Sequence, residues 1–485
     1  MKIAFIGAGS LGFTRTLLTD ILTVPALRNI EVSFMDINRR NLDMVTMLCQ
    51  RDVDENKLNI KIHATTDRRA AMRDANYIIT CFRVGGLEAF EQDIEIPLKY
   101  GVDQCVGDTL CAGGIMYGQR GIAAILDVCK DIREVAAPDA MILNYANPNA
   151  MITWAANKYG EVKTIGLCHG VMDGLHPISM ALGREPDQYR DREDFKVICA
   201  GINHQTWYIS VKLKGEDVTD KLLSGFEKHE WLSKSEKVRI DILRRFGFFS
   251  TETNGHLSEY LAWYRKSPID LENWINLDYW CLGETGGYLR VAKNSRNWFE
   301  TEFPAMMAAT PRNYDTVKRS IEHGSYIIEG LESGTVYRGH FNVMNNGCIT
   351  NLPSECVVEV PGYVDFNGIS IPQVGDLPLG CAAICSQTAW VQRLAVEAAV
   401  AGDINLLRQA MMMDPLTGAV CTPPEIDQMV DEMLVAGEKW LPQYAKAIVD
   451  AKKRLNGDLL PTRDYKGIRL TGSTKMELQE KEVRE

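Results

Sequence analysis

Short apolar runs alternate with longer amphipathic stretches through residues 1–195 of the chain. The apolar runs predict strands at 2–6, 31–35, 59–63, 76–81, 140–144 and 162–167. Helical spacing of apolar residues between these runs is clearest at 10–22 and 115–135. Because strands that alternate with helices build a parallel sheet, we predict a Rossmann-like, doubly wound α/β fold for this part of the chain.

The pattern changes near residue 195. Two β-like runs, 197–200 and 206–213, are separated by only a short polar gap, and long helical patterns follow at 388–401 and 424–455. This change predicts a second layer of α+β type. We therefore predict a Rossmann-like domain over residues 1–195 and an α+β domain over residues 196–485.

A glycine-rich turn lies between the first predicted strand and the first predicted helix, in the run Gly7-Ala8-Gly9-Ser10-Leu11-Gly12. Gly7 permits the tight turn, Gly9 lets the backbone approach a pyrophosphate, and Gly12 lets the helix pack closely on the strand. The amides at the helix N-terminus, from Ser10 onward, stabilise the phosphate charge. The turn therefore predicts dinucleotide binding, the alternative being a glycine turn without a ligand.

Asp36 ends the second predicted strand. A carboxylate at this place accepts hydrogen bonds from both ribose hydroxyls and repels a 2′-phosphate, so it favours NAD over NADP. Arg39 and Arg40 lie next to it and weaken that preference.

Polar loops follow several later strands and carry the remaining candidate chemistry. They are Gly107-Asp108-Thr109-Leu110, Asn144-Tyr145-Ala146-Asn147, Cys168-His169-Gly170 and Gly201-Ile202-Asn203-His204. Ligands of open α/β sheets bind beyond the carboxyl ends of strands, so these loops are expected near the nicotinamide end of the cofactor. A thiolate and an imidazole there can hold a divalent metal. From their spacing alone, a buried cysteine and a hydrogen-bonded histidine are the favoured interpretation.

Composition narrows the function classes. The formal net charge of −11 argues against nucleic-acid binding, which needs an excess of Lys and Arg. No apolar stretch reaches the length of a membrane span, and Gly7 and Gly9 interrupt the only apolar run at the N-terminus, which is unlike a signal peptide. The 13 cysteines include no CxxC pair and are interpreted as reduced, mostly buried thiols. We predict a cytoplasmic protein with a small-molecule substrate.

The motifs together resemble glycoside hydrolase family 4, the NAD- and metal-dependent glycosidases. The resemblance spans nearly the whole chain. It rests on FIGAGS, MDI, NYANPNAM, IGLCHG, AGINH, TETNGHLSEYLAWY, NNGCITNLPSECVVEVPGYVD and MMMDPLTGAV, in that order. It implies oxidation of the sugar at C3 by NAD⁺, removal of the C2 proton, elimination of the C1 substituent, addition of water and return of the hydride.

The resemblance also implies roles for individual residues. Cys168 and His204 match the ligands of a divalent metal, Mn²⁺ or a similar ion, and Tyr260 matches the base that removes the C2 proton. A phenol has an ordinary pKa of about 10, so a nearby cation must lower that value. Tyr264 is the alternative base, and a core aromatic is the alternative interpretation of Tyr260. His256 either joins the site or caps a loop.

Further residues concern the substrate. His169 stands where phosphate-specific members have Asp, which points to unphosphorylated sugars; it either assists the leaving group or positions a neighbour. Asp108 replaces a Glu of those members and contacts a hydroxyl or a ligand water. Asn147 resembles a residue that binds sugar hydroxyls. Arg120 either meets an anionic group of the substrate or forms an ordinary ion pair on a helix surface. Cys111-Ala112-Gly113-Gly114 replaces Gly-Pro-Gly-Gly, which bears on the sugar pocket.

The match is nearest the α-galactosidase branch of the family, with α-glucosidase and α-galacturonidase as the alternatives. The resemblance further implies a homodimer or homotetramer, with substrate contacts and subunit contacts in residues 196–485. Two other classes stay open. A hydroxyacid dehydrogenase would share the nucleotide domain but leave Cys168 idle, and an NAD-binding protein without turnover would give no reason for Tyr260.

Overall fold

The fold is described from a computed structural model of the chain, for residues 1–185, 194–277, 283–294 and 298–469. The strands in chain order are β1 Lys2–Ile6, β2 Glu31–Met35, β3 His63–Thr65, β4 Tyr77–Thr80, β5 Met141–Asn144, β6 Thr164–Gly166, β7 Phe195–Ile202, β8 Gln205–Leu213, β9 Glu216–Asp217, β10 Phe249–Ser250, β11 Tyr337–Met344, β12 Val357–Asp365 and β13 Gly368–Ser370.

The helices of the first half are α1 Leu11–Leu22, α2 Arg39–Glu55, α3 Arg68–Met72, α4 Gly86–Lys99, α5 Cys111–Val135, α6 Asn149–Lys158, α7 Gly170–Ala181, α8 Leu222–Lys228, α9 Leu232–Ser235 and α10 Lys237–Phe246. Those that follow are α11 Asn254–Glu259, α12 Pro268–Trp274, α13 Gly287–Asn294, α14 Trp298–Ala308, α15 His323–Ser333, α16 Leu379–Ala401, α17 Ile404–Met413, α18 Pro415–Val420, α19 Pro423–Ala436 and α20 Ala445–Leu455. In the described part of the chain, no helix combines the length and apolar character that a bilayer crossing requires.

The chain folds into two compact units whose segments interleave along the sequence. The first unit contains residues 1–84, 121–169 and 293–375, and the second contains residues 85–120, 170–292 and 376–485. The predicted boundary near residue 195 therefore does not mark the limit of either compact unit, and the division of labour between residues 1–195 and 196–485 stays a prediction.

The first unit is built on a sheet in the order β3-β2-β1-β4-β5-β6-β11-β12. The strands from β3 to β6 are parallel, and β11 pairs antiparallel with both β6 and β12. The order 3-2-1-4-5-6 is that of the dinucleotide-binding fold. The predicted doubly wound α/β sheet is therefore confirmed.

Apolar side chains of the sheet and of its helices form the core of this unit. Phe5 and Phe34 meet edge to face at 5.1 Å between ring centroids, with Leu42, Val45 and Ile327 buried in the same cluster. Burial of such side chains contributes about 1.5–3 kcal/mol each to folding, so this core stabilises the sheet and the helices packed on it.

One predicted strand is misplaced. The run 59–63 was expected to pair, but β3 begins only at His63, because the ladder with β2 starts where Ser33 meets His63. Gln50 of α2 bonds the backbone of the preceding segment instead, through the carbonyl of Ile60 and the amide of Ile62. The alternating isoleucines therefore mark a buried connection rather than a strand.

The second unit contains an antiparallel hairpin, β7–β8, to which β9 and β10 add along β8. Ile202 pairs with Gln205, so the hairpin turn consists of Asn203 and His204 alone. His204 has φ +65°, the left-handed conformation that two-residue turns favour and that residues other than Gly and Asn seldom adopt. The predicted 424–455 helical pattern is divided into α19 and α20.

Replacement of Gly166 by Ala tests the packing of α6 on β6. An added Cβ would lie 2.0 Å from Asn149 Oδ1 and 2.5 Å from Thr153 Oγ1. Asn149 cannot give way without losing its bonds to the carbonyls of Asn144 and Leu167. We expect Gly166→Ala to lower the free energy of unfolding by about 1–3 kcal/mol, measured by urea denaturation. Gly457→Ala, at an exposed helix end, is the control, and equal effects of the two changes would contradict the packing argument.

Candidate active site

In the first unit, the residues predicted to bind the nucleotide, the sugar or the metal follow parallel strands. Gly7 follows β1, Asp36 follows β2, Asn147 follows β5 and Cys168 follows β6. The carboxyl ends of parallel strands lie at one edge of a sheet, which is where ligands of this fold bind. The structure therefore assembles these residues along one edge, as the strand pattern predicted.

The glycine turn has the shape that a pyrophosphate needs. Gly7 has φ +93°, and an added Cβ would lie 2.8 Å from the amide nitrogen of Phe82. The Gly9 amide donates to Asp36 Oδ2 at 2.8 Å, which ties the turn to β2. Ser10 is the N-cap residue of α1 and makes no capping bond with its side chain, so it does not occupy the first amides of the helix. These features fit NAD.

Gly12 was predicted to let α1 pack closely on a strand, and this prediction is wrong. Its Cβ position lies 3.7 Å from the Trp298 side chain, and no strand atom is within 4 Å among the described residues. Gly12 therefore does not serve close packing of helix on strand. Its place in the nucleotide site stays a prediction.

Both arginines beside Asp36 have carboxylate partners. Arg39 pairs with Asp43 at 2.9 Å, and Arg40 pairs with Glu300 at 2.6 Å. Exposed pairs of this kind are weak, but they direct the two guanidinium groups toward protein carboxylates. The geometry favours a ribose with free hydroxyls over a 2′-phosphate.

Two histidines lie in or beside the loop after β6. His169 is half exposed, and its Nδ1 lies 3.0 Å from Glu322 Oε1, which orients the ring. The carbonyl of Cys168 lies 3.0 Å from His323 Nε2, and the other nitrogen of that ring bonds Tyr337 Oη. Cys168 is partly buried and reduced, and no disulfide forms among the described cysteines. The roles of Cys168, His169 and Asn147 stay predictions.

In the second unit, seven side chains converge into what we call the buried polar cluster. Its members are Asp108, Thr109, His204, Glu252, His256, Glu259 and Tyr260. Except for Glu252, which is partly accessible, all are buried. The structure therefore brings together three of the predicted site residues, Asp108, His204 and Tyr260.

Tyr260 stands at the centre of the hydrogen bonds. Its Oη lies 2.7 Å from His256 Nε2 and 3.5 Å from His204 Nδ1. His256 Nδ1 in turn lies 3.1 Å from Glu252 Oε2. His256 thus joins the site, and the capping role belongs to Thr253, whose hydroxyl accepts the His256 amide at the start of α11. Residues 256 and 260 are four apart, so one helical turn puts both rings on the same side.

A second chain of bonds reaches His204 from the other side. Thr109 Oγ1 lies 2.9 Å from His204 Nδ1 and donates to Asp108 Oδ1 at 2.9 Å. Asp108 Oδ1 also lies 3.6 Å from His256 Nε2. The two histidines are therefore linked both through Tyr260 and through Asp108 and Thr109.

The segment 103–111, which carries Asp108 and Thr109, is held by buried charge. Glu259 Oε1 accepts the amides of Cys105, Val106 and Gly107 at 2.9, 3.2 and 3.0 Å. At the start of the segment, Asp103 pairs with the fully buried Arg265 at 2.6 Å. Each carboxylate replaces its lost hydration by several donors, so buried hydrogen bonds hold the backbone of the segment at these points.

The far end of the segment is held by Asp414. Its Oδ2 accepts the amide of Cys111, which has φ +59°, and its Oδ1 accepts the amide of Thr417 at the start of α18. Gln104 also bonds the amide of Gly113. The run that replaces the family's Gly-Pro-Gly-Gly therefore begins α5 with side-chain anchors instead of a proline.

Burial and charge together set the protonation of the cluster. Burial lowers the pKa of His256, but its bond to Glu252 and the charges on Glu252, Glu259 and Asp108 raise it to about 9. Burial raises the pKa of Tyr260 well above its ordinary value, and the charges on Asp108 and Glu252 add to that effect. The phenol is therefore protonated in the protein alone, and a role as a base would require positive charge beside it.

Two other predicted residues lie in different surroundings. Tyr264 Oη donates to Asp241 Oδ2 at 2.9 Å, outside the cluster, so the geometry favours Tyr260 as the base. Arg120 forms a two-pronged ion pair with Asp93, with Nη1 3.0 Å from Oδ1. This pair is buried, not on a helix surface as expected. Contact of Arg120 with the substrate stays a prediction.

Sequence patterns did not single out Thr109, Glu252 or Glu259. Thr109 and Glu259 are neighbours of predicted residues, and that adjacency is the only signal they carry. Glu252 lies in the polar run after β10 and has φ +74°, which no periodicity reveals. Their roles depend on contacts between segments far apart in the sequence.

Comparison with known proteins adds an independent result. The model described as "Family 4 glycosyl hydrolase" matches residues 2–182, and its "C-terminal domain" model matches residues 199–417. An α-galactosidase of Rhizobium meliloti (strain 1021) is 57% identical over 96% of this chain and 94% of its own length. An α-galactosidase of Bacillus subtilis (strain 168) is 34% identical, covering 91% of this chain and 99% of its own.

A solved structure is also similar. The 6-phospho-β-glucosidase from Thermotoga maritima, with manganese, NAD⁺ and glucose-6-phosphate, has 25% sequence identity to this chain and a TM-score of 0.72. The match covers 91% of this chain and 99% of that one. The resemblance inferred from the motifs is confirmed.

Asp414 predicts a measurable pH dependence of stability. Burial raises its pKa to about 6, against hydrogen bonds from Thr417 and Cys111 that lower it. A carboxyl group whose pKa is raised on folding stabilises the protein fully below its unfolded value, about 3.9, and loses that contribution as the pH rises through 6. We expect the free energy of unfolding to fall by about 2–3 kcal/mol from this group between pH 4 and 7.

Urea denaturation of the protein and of Asp414→Asn across that range isolates the effect. The variant starts from a lower stability because it loses an acceptor, but its slope with pH should be shallower. Parallel slopes for the two proteins would contradict the assignment.

Proposed function

The chain belongs to family 4 of the glycosyl hydrolases, and from this premise we propose that it hydrolyses unphosphorylated α-galactosides with NAD⁺ and a divalent cation such as Mn²⁺. The observation that carries the substrate is the 57% identity to an α-galactosidase over nearly the whole chain. Family membership decides against a hydroxyacid dehydrogenase and against a nucleotide-binding protein without turnover.

The residues fit both cofactors. The turn at Gly7 and Gly9 leaves room for a pyrophosphate, and Asp36 supports a ribose with free hydroxyls. For the cation, His204 offers an imidazole within a cluster rich in buried carboxylates, which suits divalent ions of the Mn²⁺ type. Cys168 is the thiolate ligand that the family resemblance proposes. When bound, NAD⁺ would supply a hydride acceptor for the sugar, and the cation would supply a Lewis acid for the sugar's oxygens.

Side chains of the protein are proposed to carry out the proton transfers. We assign removal of the C2 proton to Tyr260, whose Oη is held by His256. His256, with its raised pKa, donates Nε2–H to the phenolate and stabilises it. Asp108 contacts a sugar hydroxyl or a ligand water, beside Thr109. Asn147 and Arg120 are the proposed sugar contacts.

His169 is proposed to assist departure of the C1 substituent. Glu322 holds its Nδ1 and so orients a half-exposed imidazole, a side chain suited to proton transfer near neutral pH. His169 stands where the resemblance gives phosphate-specific members an Asp, and this difference supports an unphosphorylated sugar.

The family matches also support a division of labour. We propose that residues 1–195 hold the nucleotide and that residues 196–485 supply substrate and subunit contacts, in a cytoplasmic homodimer or homotetramer. Reduced thiols agree with such a compartment.

A panel of nitrophenyl α- and β-glycosides tests the function. We expect the α-galactoside to be hydrolysed fastest, and hydrolysis to fall to background when NAD⁺ is omitted or the cation is chelated, because the hydride acceptor and the polarising charge are then lost. Activity that persists after removal of NAD⁺ would refute the mechanism. Preference for the α-glucoside or α-galacturonide would assign the chain to one of those alternatives.

Tyr260→Phe tests the base. Reaction in D₂O should introduce deuterium at C2 of the product, and the variant should lose this exchange and about 10²–10⁴-fold in kcat while binding NAD⁺ normally. Tyr264→Phe is the matched control, since Tyr264 is also buried and bonded to a carboxylate. Exchange that survives in Tyr260→Phe but not in Tyr264→Phe would transfer the role to Tyr264.

A further inference from the structure

We propose that the Glu252 carboxylate is a direct ligand of the divalent cation that His204 binds. This role rests on the proposed function, which supplies the cation, and the family resemblance assigns no metal ligand to this position. The inference is drawn from five features of the buried polar cluster: a distance, the orientation of the imidazole, the second carboxylate oxygen, the backbone and the charge balance.

The distance suits two ligands of one ion. His204 Nε2 lies 3.8 Å from Glu252 Oε1, too far for a direct hydrogen bond. With metal–ligand bonds of about 2.1 Å, two neighbouring ligand atoms lie about 3.0–3.6 Å apart. A side-chain shift of a few tenths of an ångström brings both atoms to one ion.

The imidazole is oriented for such a bond. Its Nδ1 is engaged by Thr109 Oγ1 at 2.9 Å, so Nε2 is the nitrogen directed at Glu252. With Nε2 on a cation, Nδ1–H donates to Thr109, whose own hydrogen goes to Asp108. Metal-bound histidines are characteristically held through the second ring nitrogen in this manner.

The second oxygen of Glu252 links the cation to the base. Oε2 lies 3.1 Å from His256 Nδ1, and the opposite nitrogen of that ring bonds Tyr260. A cation on Oε1 would therefore be joined to the phenol through one carboxylate and one imidazole. Each carboxylate oxygen of Glu252 thus lies beside a different histidine, Oε1 beside His204 and Oε2 beside His256.

The backbone places both side chains. His204 has φ +65°, which its two-residue hairpin turn explains. Glu252 has φ +74°, a conformation that costs free energy for a residue with a Cβ and that persists where surrounding contacts enforce it. Such conformations concentrate at functional sites.

The charge balance also favours a cation here. The carboxylates of Asp108, Glu252 and Glu259 lie 3.6, 3.1 and 3.7 Å from the ring nitrogens of His256. Three backbone amides compensate Glu259. A divalent ion beside Glu252 adds positive charge where Glu252 and Asp108 approach the same ring.

Mn²⁺ titration followed by the paramagnetic resonance of free aqueous Mn²⁺ tests the proposal, in the presence of saturating NAD⁺. We expect Glu252→Gln to raise the Kd for Mn²⁺ by about 100-fold or more, the upper end of the loss seen when only a supporting partner of a ligand is removed. His204→Ala should abolish binding. His256→Asn should raise the Kd by about tenfold, the lower end of that range and less than Glu252→Gln, because it removes only a support of Glu252.

Glu236→Gln is the matched control, since Glu236 is a buried glutamate that pairs with Arg239 at 3.1 Å. It should leave the Kd unchanged. Circular dichroism confirms folding of each variant. Unchanged Mn²⁺ affinity in Glu252→Gln, or an equal loss in His256→Asn, would overturn the proposal. Failure of the unaltered protein to bind Mn²⁺ at all would instead refute the proposed function.

Glu252→Asp with Co²⁺ provides a second measurement if Glu252→Gln does not fold. The visible absorption of bound Co²⁺ reports its ligand set. A ligand shortened by one methylene should alter that spectrum, and a spectrum identical to that of the unaltered protein would overturn the proposal.

Discussion

Compensation of buried negative charge is the constraint on which the buried polar cluster depends. Burying an unpaired carboxylate is costly, so each must find donors or a cation inside the protein. Glu259 meets this need with three backbone amides, and Asp103 meets it with Arg265. These contacts hold the segment 103–111, which carries Asp108 and Thr109.

The same charges decide what Tyr260 can do. Without a cation they hold its proton in place, because a phenolate would add one more negative charge to the cluster. A cation bound at His204, as proposed, would reverse this balance and leave His256 as the donor that stabilises the phenolate. The proposed base chemistry would then be coupled to cation binding through local electrostatics.

At the sheet edge of the first unit, charged and polar groups bear on nucleotide binding. The amides at the start of α1 favour a pyrophosphate, and Asp36 binds the amide of Gly9 in the turn. Arg39 and Arg40 pair with Asp43 and Glu300. Carboxylates near Asp36 thus engage the two cations that would otherwise favour a 2′-phosphate.

The sequence by itself determined the doubly wound sheet, the nucleotide turn and the family, because strand periodicity, glycine spacing and contiguous motifs are local properties. It also predicted Tyr260 as a site residue, since the motif around it is continuous. Only the tertiary structure decided the partners of these residues. Glu252, Thr109 and Glu259 act through contacts with segments 48 to 154 residues away, and burial, which sets the protonation of His256 and Tyr260, is a property of the folded chain. The start of β3 likewise depended on its register against β2, which no single run of residues contains.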